Sequence, residues 1–156
     1  MDKHITTLMD ISEKKHILLL EIYELTKLQE SYIKNEDDNS LLDIIQKKQT
    51  RIDEINDLDK QFYDLYSKLK KELGVDSLED IKGDYPKLKK LKNIVSDIMF
   101  VLEKISILEK ENEKKLKIEM DKIKTQMKSI NTTIKANKGY NTKYNYVQGI
   151  FVDNKK

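Results

Sequence analysis

Two histidines, His4 and His16, are the side chains best suited to acid–base or metal chemistry, and they stand twelve residues apart in a chain without cysteine. A structural or catalytic metal site needs three or four converging ligands, and no thiolate is present to complete one. His16 falls near the edge of an apolar helical stripe, which suits a boundary residue better than a general base. Glu36, Asp37 and Asp38 put three carboxylates side by side, but they lack the alternating spacing and central glycine of a calcium loop. They read as solvated residues in a turn before a helix. No glycine-rich phosphate loop and no nucleophile elbow occurs. The expectation is a protein with no catalytic residues, no metal and no cofactor.

Charge excludes a second class. Lysine and arginine total 30 against 28 acidic residues, a net charge of +2, and Arg51 is the sole arginine. A dedicated nucleic-acid binder concentrates arginine and builds one strongly basic face. Here both signs alternate along every segment, as on a solvated helix surface. Lys82, Lys87, Lys89, Lys90 and Lys92 cluster locally, and Lys155 and Lys156 end the sequence; these read as solubility at a bundle end rather than a nucleic-acid site. The first residues show no signal peptide. The apolar cluster Ile17 to Leu20 is too short to span a bilayer, so membrane insertion is not expected. The absence of cysteine is compatible with a reducing cytoplasm, the expected location.

The elements that position these residues are long helices. Hydrophobic residues make up 38% and charged residues 37%, with four glycines and one proline, a balance that favours amphipathic helices over a sheet. From Asp2 to about Lys34, Ile11, Leu18, Leu25 and Tyr32 recur every seven residues, with Leu8 and Ile22 beside them. The segment NEDDNS interrupts this pattern, and Ser40 with Asp43 three residues on predicts an N-cap. A second helix then runs to about Leu73 on a seam of Leu41, Ile45, Lys48, Ile52, Ile55, Asp59, Phe62, Tyr66, Leu69 and Leu73. Gly74 stands where a left-handed stop is wanted. SLED predicts one capped turn, and Pro86 suits the first turn of a third helix reaching about Asn137. Its seam is Leu88, Leu91, Val95, Ile98, Leu102, Ile105, Glu109, Asn112, Leu116, Met120, Ile123, Met127, Ile130 and Ile134. Glu109 and Asn112 form either a buried polar layer or a point where the seam turns to water.

These elements predict an all-α fold. It is an antiparallel three-helix, coiled-coil-like bundle over 1–137, with a long third helix and a flexible or extended tail over 138–156. At the α-helical rise the first two helices are each ~50 Å long and the third ~75 Å. A third helix folded back on the second meets its start near Asp121 to Ile123 and outruns it. Met120, Ile123, Met127, Ile130 and Ile134 continue the apolar face there, and an apolar stripe without an intramolecular partner needs another surface. Unbranched methionine adapts to differently shaped partners. The same residues suit core packing, including that of a homodimer.

With helices and tail placed, the chain resembles the FlgN family of flagellar export chaperones. In the second helix SLLDIIQKKQTRIDEINDLDKQF is similar to the family's leucine, lysine–glutamine element and spaced isoleucines before a Leu-Asp pair and an aromatic. In the tail, Tyr144 and Tyr146 precede Gly149 and a short apolar and basic ending, IFVDNKK, as family tails do. The resemblance implies a cytoplasmic chaperone that binds the C-terminal helical region of hook–filament junction proteins. It implies delivery of that cargo to an export-gate component, with Tyr144, Tyr146 and Gly149 docking there and Met120, Ile123, Met127, Ile130 and Ile134 holding cargo. The alternative is a structural coiled-coil or tethering protein, with a homodimer as one form.

Overall fold

A computed structural model describes residues 2–81, 83 and 85–136. Among them are three α-helices, α1 (Asp2–Lys34), α2 (Asp38–Leu73) and α3 (Pro86–Ala136), and a single 3₁₀ turn at Leu78–Asp80. The fold is the all-α bundle expected. The anticipated tail, with Tyr144, Tyr146 and Gly149, lies outside the described residues. By contacts the chain divides into two compact units, 1–110 and 111–156.

Helix ends follow local hydrogen-bond chemistry. The cap of α2 is Asp37 rather than Ser40: its carboxylate accepts the Ser40 backbone N–H at 3.2 Å, and Ser40 is the donor inside the first turn. An anionic cap also favours the positive end of the helix dipole. The turn before it closes on α1, with Asp37 N–H donating to the Tyr32 carbonyl at 3.0 Å while Glu36 takes φ 55°. At the far end Gly74 adopts φ 64°, and the Val75 N–H reaches the Lys70 carbonyl at 3.1 Å, the reversal glycine permits. Ser77 and Asp80 cap the 3₁₀ turn reciprocally. Pro86 opens α3, where a missing N–H is harmless.

In the first unit, polar pairs fix direction. His4 lies against Glu72, Lys15 pairs with Asp59 at 2.7 Å, Glu21 with Arg51 at 3.1 Å, and Gln29 accepts from Lys48 at 2.9 Å. The α2 number falls as the α1 number rises, so the two helices are antiparallel. Lys87 donates to Thr6 at 3.0 Å and Thr26 to Glu109 at 3.5 Å, so α3 runs parallel to α1. One apolar cluster joins Ile5, Leu8, Leu69, Leu88 and Leu91, with Leu78, Ile81 and Tyr85 of the connection packed against it. The other joins Leu19, Ile22, Ile55, Ile98, Val101 and Ile105. Burying side chains of this size contributes ~1.5–3 kcal/mol each, which holds the three helices together.

The buried rows differ from the expected seams by a small rotation. In α1 the row is Ile5, Leu8, Ser12, Leu19, Ile22, Thr26, Gln29 and Ile33, beside Ile11, whereas Leu18, Leu25 and Tyr32 are half-buried. In α2 Ile44, Lys48, Ile55 and Leu69 are buried, and Ile52 is surface-exposed. In α3 Val101 is buried while Val95 and Leu102 are exposed. A helix wedged between two neighbours buries a broader face than a strict heptad seam, and at 3.6 residues per turn that face drifts from a seven-residue repeat.

Below the second cluster the core becomes polar. The Lys48 ammonium, on a residue 7% exposed, donates to Gln29 and forms an ion pair with Glu109. Thr26, fully buried, returns its hydroxyl to the Ile22 carbonyl at 2.7 Å. In the second unit Asn112 is buried. Of the two alternatives, Glu109 is not turned wholly to water: it is half-buried over Lys48. Asp59, the other polar member of the α2 seam, is exposed and pairs with Lys15.

Candidate partner-binding surface

The second unit holds the later part of α3. No glycine or proline interrupts the helix after Pro86, so one continuous backbone carries the expected stripe to Ala136. Its threonines stay within the helix: Thr125, Thr132 and Thr133 return their hydroxyls to carbonyls four residues back, at 2.9, 2.8 and 3.1 Å. Glu119 and Lys122 pair along the surface at 3.4 Å. Those groups leave the apolar positions to define the character of the face.

Exposure rises along the stripe. Met120 is 7% exposed, Ile123 and Met127 are half-buried, and Ile130 is 50% exposed. Ile134 lies within the helix, and its side chain is outside the described residues. The steps 120, 123, 127 and 130 alternate three and four, which puts these side chains on one face. The residues offer branched and thioether surface, an arrangement suited to receiving an apolar helix face.

The residues considered for other chemistry are dispersed. His4 Nδ1 lies 3.2 Å from Glu72 at one end of the bundle, and His16 is half-buried on α1. Asp37 is occupied as the α2 cap. Among the described residues no group of three or more His, Asp or Glu side chains is placed to hold a metal ion. Of the local lysine cluster, Lys87, Lys89, Lys90 and Lys92 are exposed and Lys82 lies outside the described residues. Among the described residues no helix is long and apolar enough to cross a membrane.

Sequence reasoning missed a second apolar face on α1. Ile17 and Leu28 are 57% and 45% exposed, and half-buried Leu18 and Leu25 lie beside them. The signal was present, because Leu18, Leu25 and Tyr32 repeat every seven residues. The core row itself contains Ser12, Thr26 and Gln29.

A family model described as FlgN protein matches residues 1–148. The match covers all three helices and Tyr144 and Tyr146, and ends one residue before Gly149. No curated protein and no solved structure matches the chain.

Proposed function

The chain belongs to the FlgN family, a family of flagellar export chaperones, and from that premise we propose that it binds the C-terminal helical region of hook–filament junction proteins in the cytoplasm. It acts without catalysis. The amphipathic cargo helix is masked against late α3 and carried to the export gate. Ile123, Met127, Ile130 and Ile134 form the docking face, with Met120 at its inner margin. The observation that carries this reading is the half-exposed Met and Ile stripe at the end of a helix 51 residues long, against 36 and 33 in its companions. Burying such a stripe under a cargo helix contributes to an interface of standard size, ~1,600 Å². Flexible methionine lets one face accept more than one cargo sequence.

Tyr144, Tyr146 and Gly149 provide the gate contact. A tyrosine brings a large apolar body with few torsions to immobilise, and a glycine beside it admits close backbone approach. The test is a pull-down with the C-terminal region of a hook–filament junction protein. Replacing Met127 and Ile130 together by Asp loses cargo by ~100-fold or more while helicity and monomer mass persist, since two apolar anchors are turned into desolvated charges. Undiminished binding by that variant would remove late α3 from the account. A concentration-independent dimer broken by the same substitutions would favour the coiled-coil or tethering alternative, in which a second copy covers the stripe.

A further inference from the structure

A groove of about 400 Å³ opens between α1 and α2, lined by Lys14, Ile17 and Leu18 on one wall and Glu54, Asp57 and Leu58 on the other. Each wall is a one-turn triplet spaced i, i+3, i+4, so each presents its three side chains on a single helix face. Half-buried Leu18 and Leu58 make the floor, and Ile17, 57% exposed, forms an apolar lip. All six residues belong to the first unit, whereas the stripe on late α3 belongs to the second.

The charges on its rim are uneven. The neighbouring cation Lys15 is held by Asp59 at 2.7 Å, and Arg51 by Glu21 at 3.1 Å. Among the described residues Glu54, Asp57 and Lys14 have no ion-pair partner, which leaves two open carboxylates against one ammonium. That is a locally acidic rim on a chain whose net charge is +2. An apolar trough between antiparallel helices accepts the ridge of a third helix, and an acidic edge selects a ridge flanked by lysine or arginine.

We infer that this groove is a second docking surface, and that its occupant is an amphipathic helix of another protein with a leucine-type ridge bordered by basic residues. Its apolar knob sits over Leu18 and Leu58 against Ile17. A lysine or arginine on its flank meets Glu54 and Asp57. The surface does not depend on the cargo reading of late α3.

The probe is a synthetic helical peptide with leucines on one face and lysines beside them, compared with a counterpart of equal length flanked by glutamates. Both are titrated into the full chain carrying Met127→Asp and Ile130→Asp, so that late α3 takes no part, and isoleucine and leucine methyl NMR signals are followed. The lysine peptide shifts the Ile17, Leu18 and Leu58 methyls, and the glutamate peptide does not. Adding Glu54→Lys and Asp57→Lys weakens the lysine peptide by about tenfold or more at low salt, because attraction becomes like-charge repulsion at exposed sites. Their exposure makes a folding defect from these substitutions unexpected, and the unchanged circular dichroism of the variant checks it. Equal binding of both peptides, or methyl shifts confined to other residues, overturns the proposal. So does self-association of the chain abolished by Ile17→Asp, which would give the groove to a second copy.

Discussion

Removing the carboxylate of Glu109 should cost more stability than removing the ammonium of Lys48, although both belong to the same ion pair. The Lys48 side chain is 9% exposed and the Glu109 side chain 41%. Glu109→Ala leaves a buried ammonium with one neutral acceptor, Gln29 Oε1 at 2.9 Å. Breaking a fully buried pair from one side costs ~3–5 kcal/mol, and the half-open position of Glu109 reduces that to ~2–3 kcal/mol. Lys48→Met removes the buried charge and keeps a linear apolar stem of similar length. Glu109 then turns to water, and the loss is about 1 kcal/mol for the bond to Gln29. The difference of ~1–2 kcal/mol corresponds to a urea midpoint lower by ~0.5–1 M for Glu109→Ala at an m-value of ~2 kcal/mol/M. The assay is urea unfolding followed by circular dichroism, with the m-value held as a control. The double variant should resemble Lys48→Met alone. A midpoint for Lys48→Met equal to or below that of Glu109→Ala would refute the reasoning.

Other expectations test separate parts of the fold. Leu69→Ala, at a side chain with no exposure in the cluster with Ile5, Leu8 and Leu91, should destabilise by ~2–5 kcal/mol in urea unfolding, with the cost set by how far the cavity collapses. Gly74→Ala meets no atom within 4 Å, so its cost of ~1 kcal/mol is that of φ +64° alone, read as a lowered thermal midpoint. Asp37→Ala should cost ~1 kcal/mol through loss of the cap, and Ser40→Ala nearly nothing, because Ser40 contributes only its backbone N–H; equal losses would return the cap to Ser40.

Helix bounds were legible because they rest on local chemistry. Gly74, the SLED turn and Pro86 each force a backbone event that nearby residues determine, and α1 begins and ends as the periodicity predicts. The α2 cap stands three residues before Ser40 because NEDDNS contains several competent oxygens, and Asp37 is the one whose N–H also closes on the Tyr32 carbonyl at the end of α1. Core faces were less legible. Thr26, Gln29 and Lys48 look like surface residues in sequence, yet their polar groups find partners when buried, Lys48 with Gln29 and Glu109, and Thr26 with Glu109. That information lies in pairs separated by 19 to 83 positions, beyond the reach of any periodicity. The late α3 stripe was legible as apolar and helical, since one uninterrupted helix needs only its own residues. The α1–α2 groove was not, because its two walls meet only after folding.

Hydrogen exchange on the full chain, with and without the C-terminal helical region of a hook–filament junction protein, probes the main assertion most directly. Slowed exchange of amides across 116–134 of α3 is expected when that region is added, with the α1 and α2 amides little changed. A stable complex that leaves 116–134 exchanging at its free rate would contradict it.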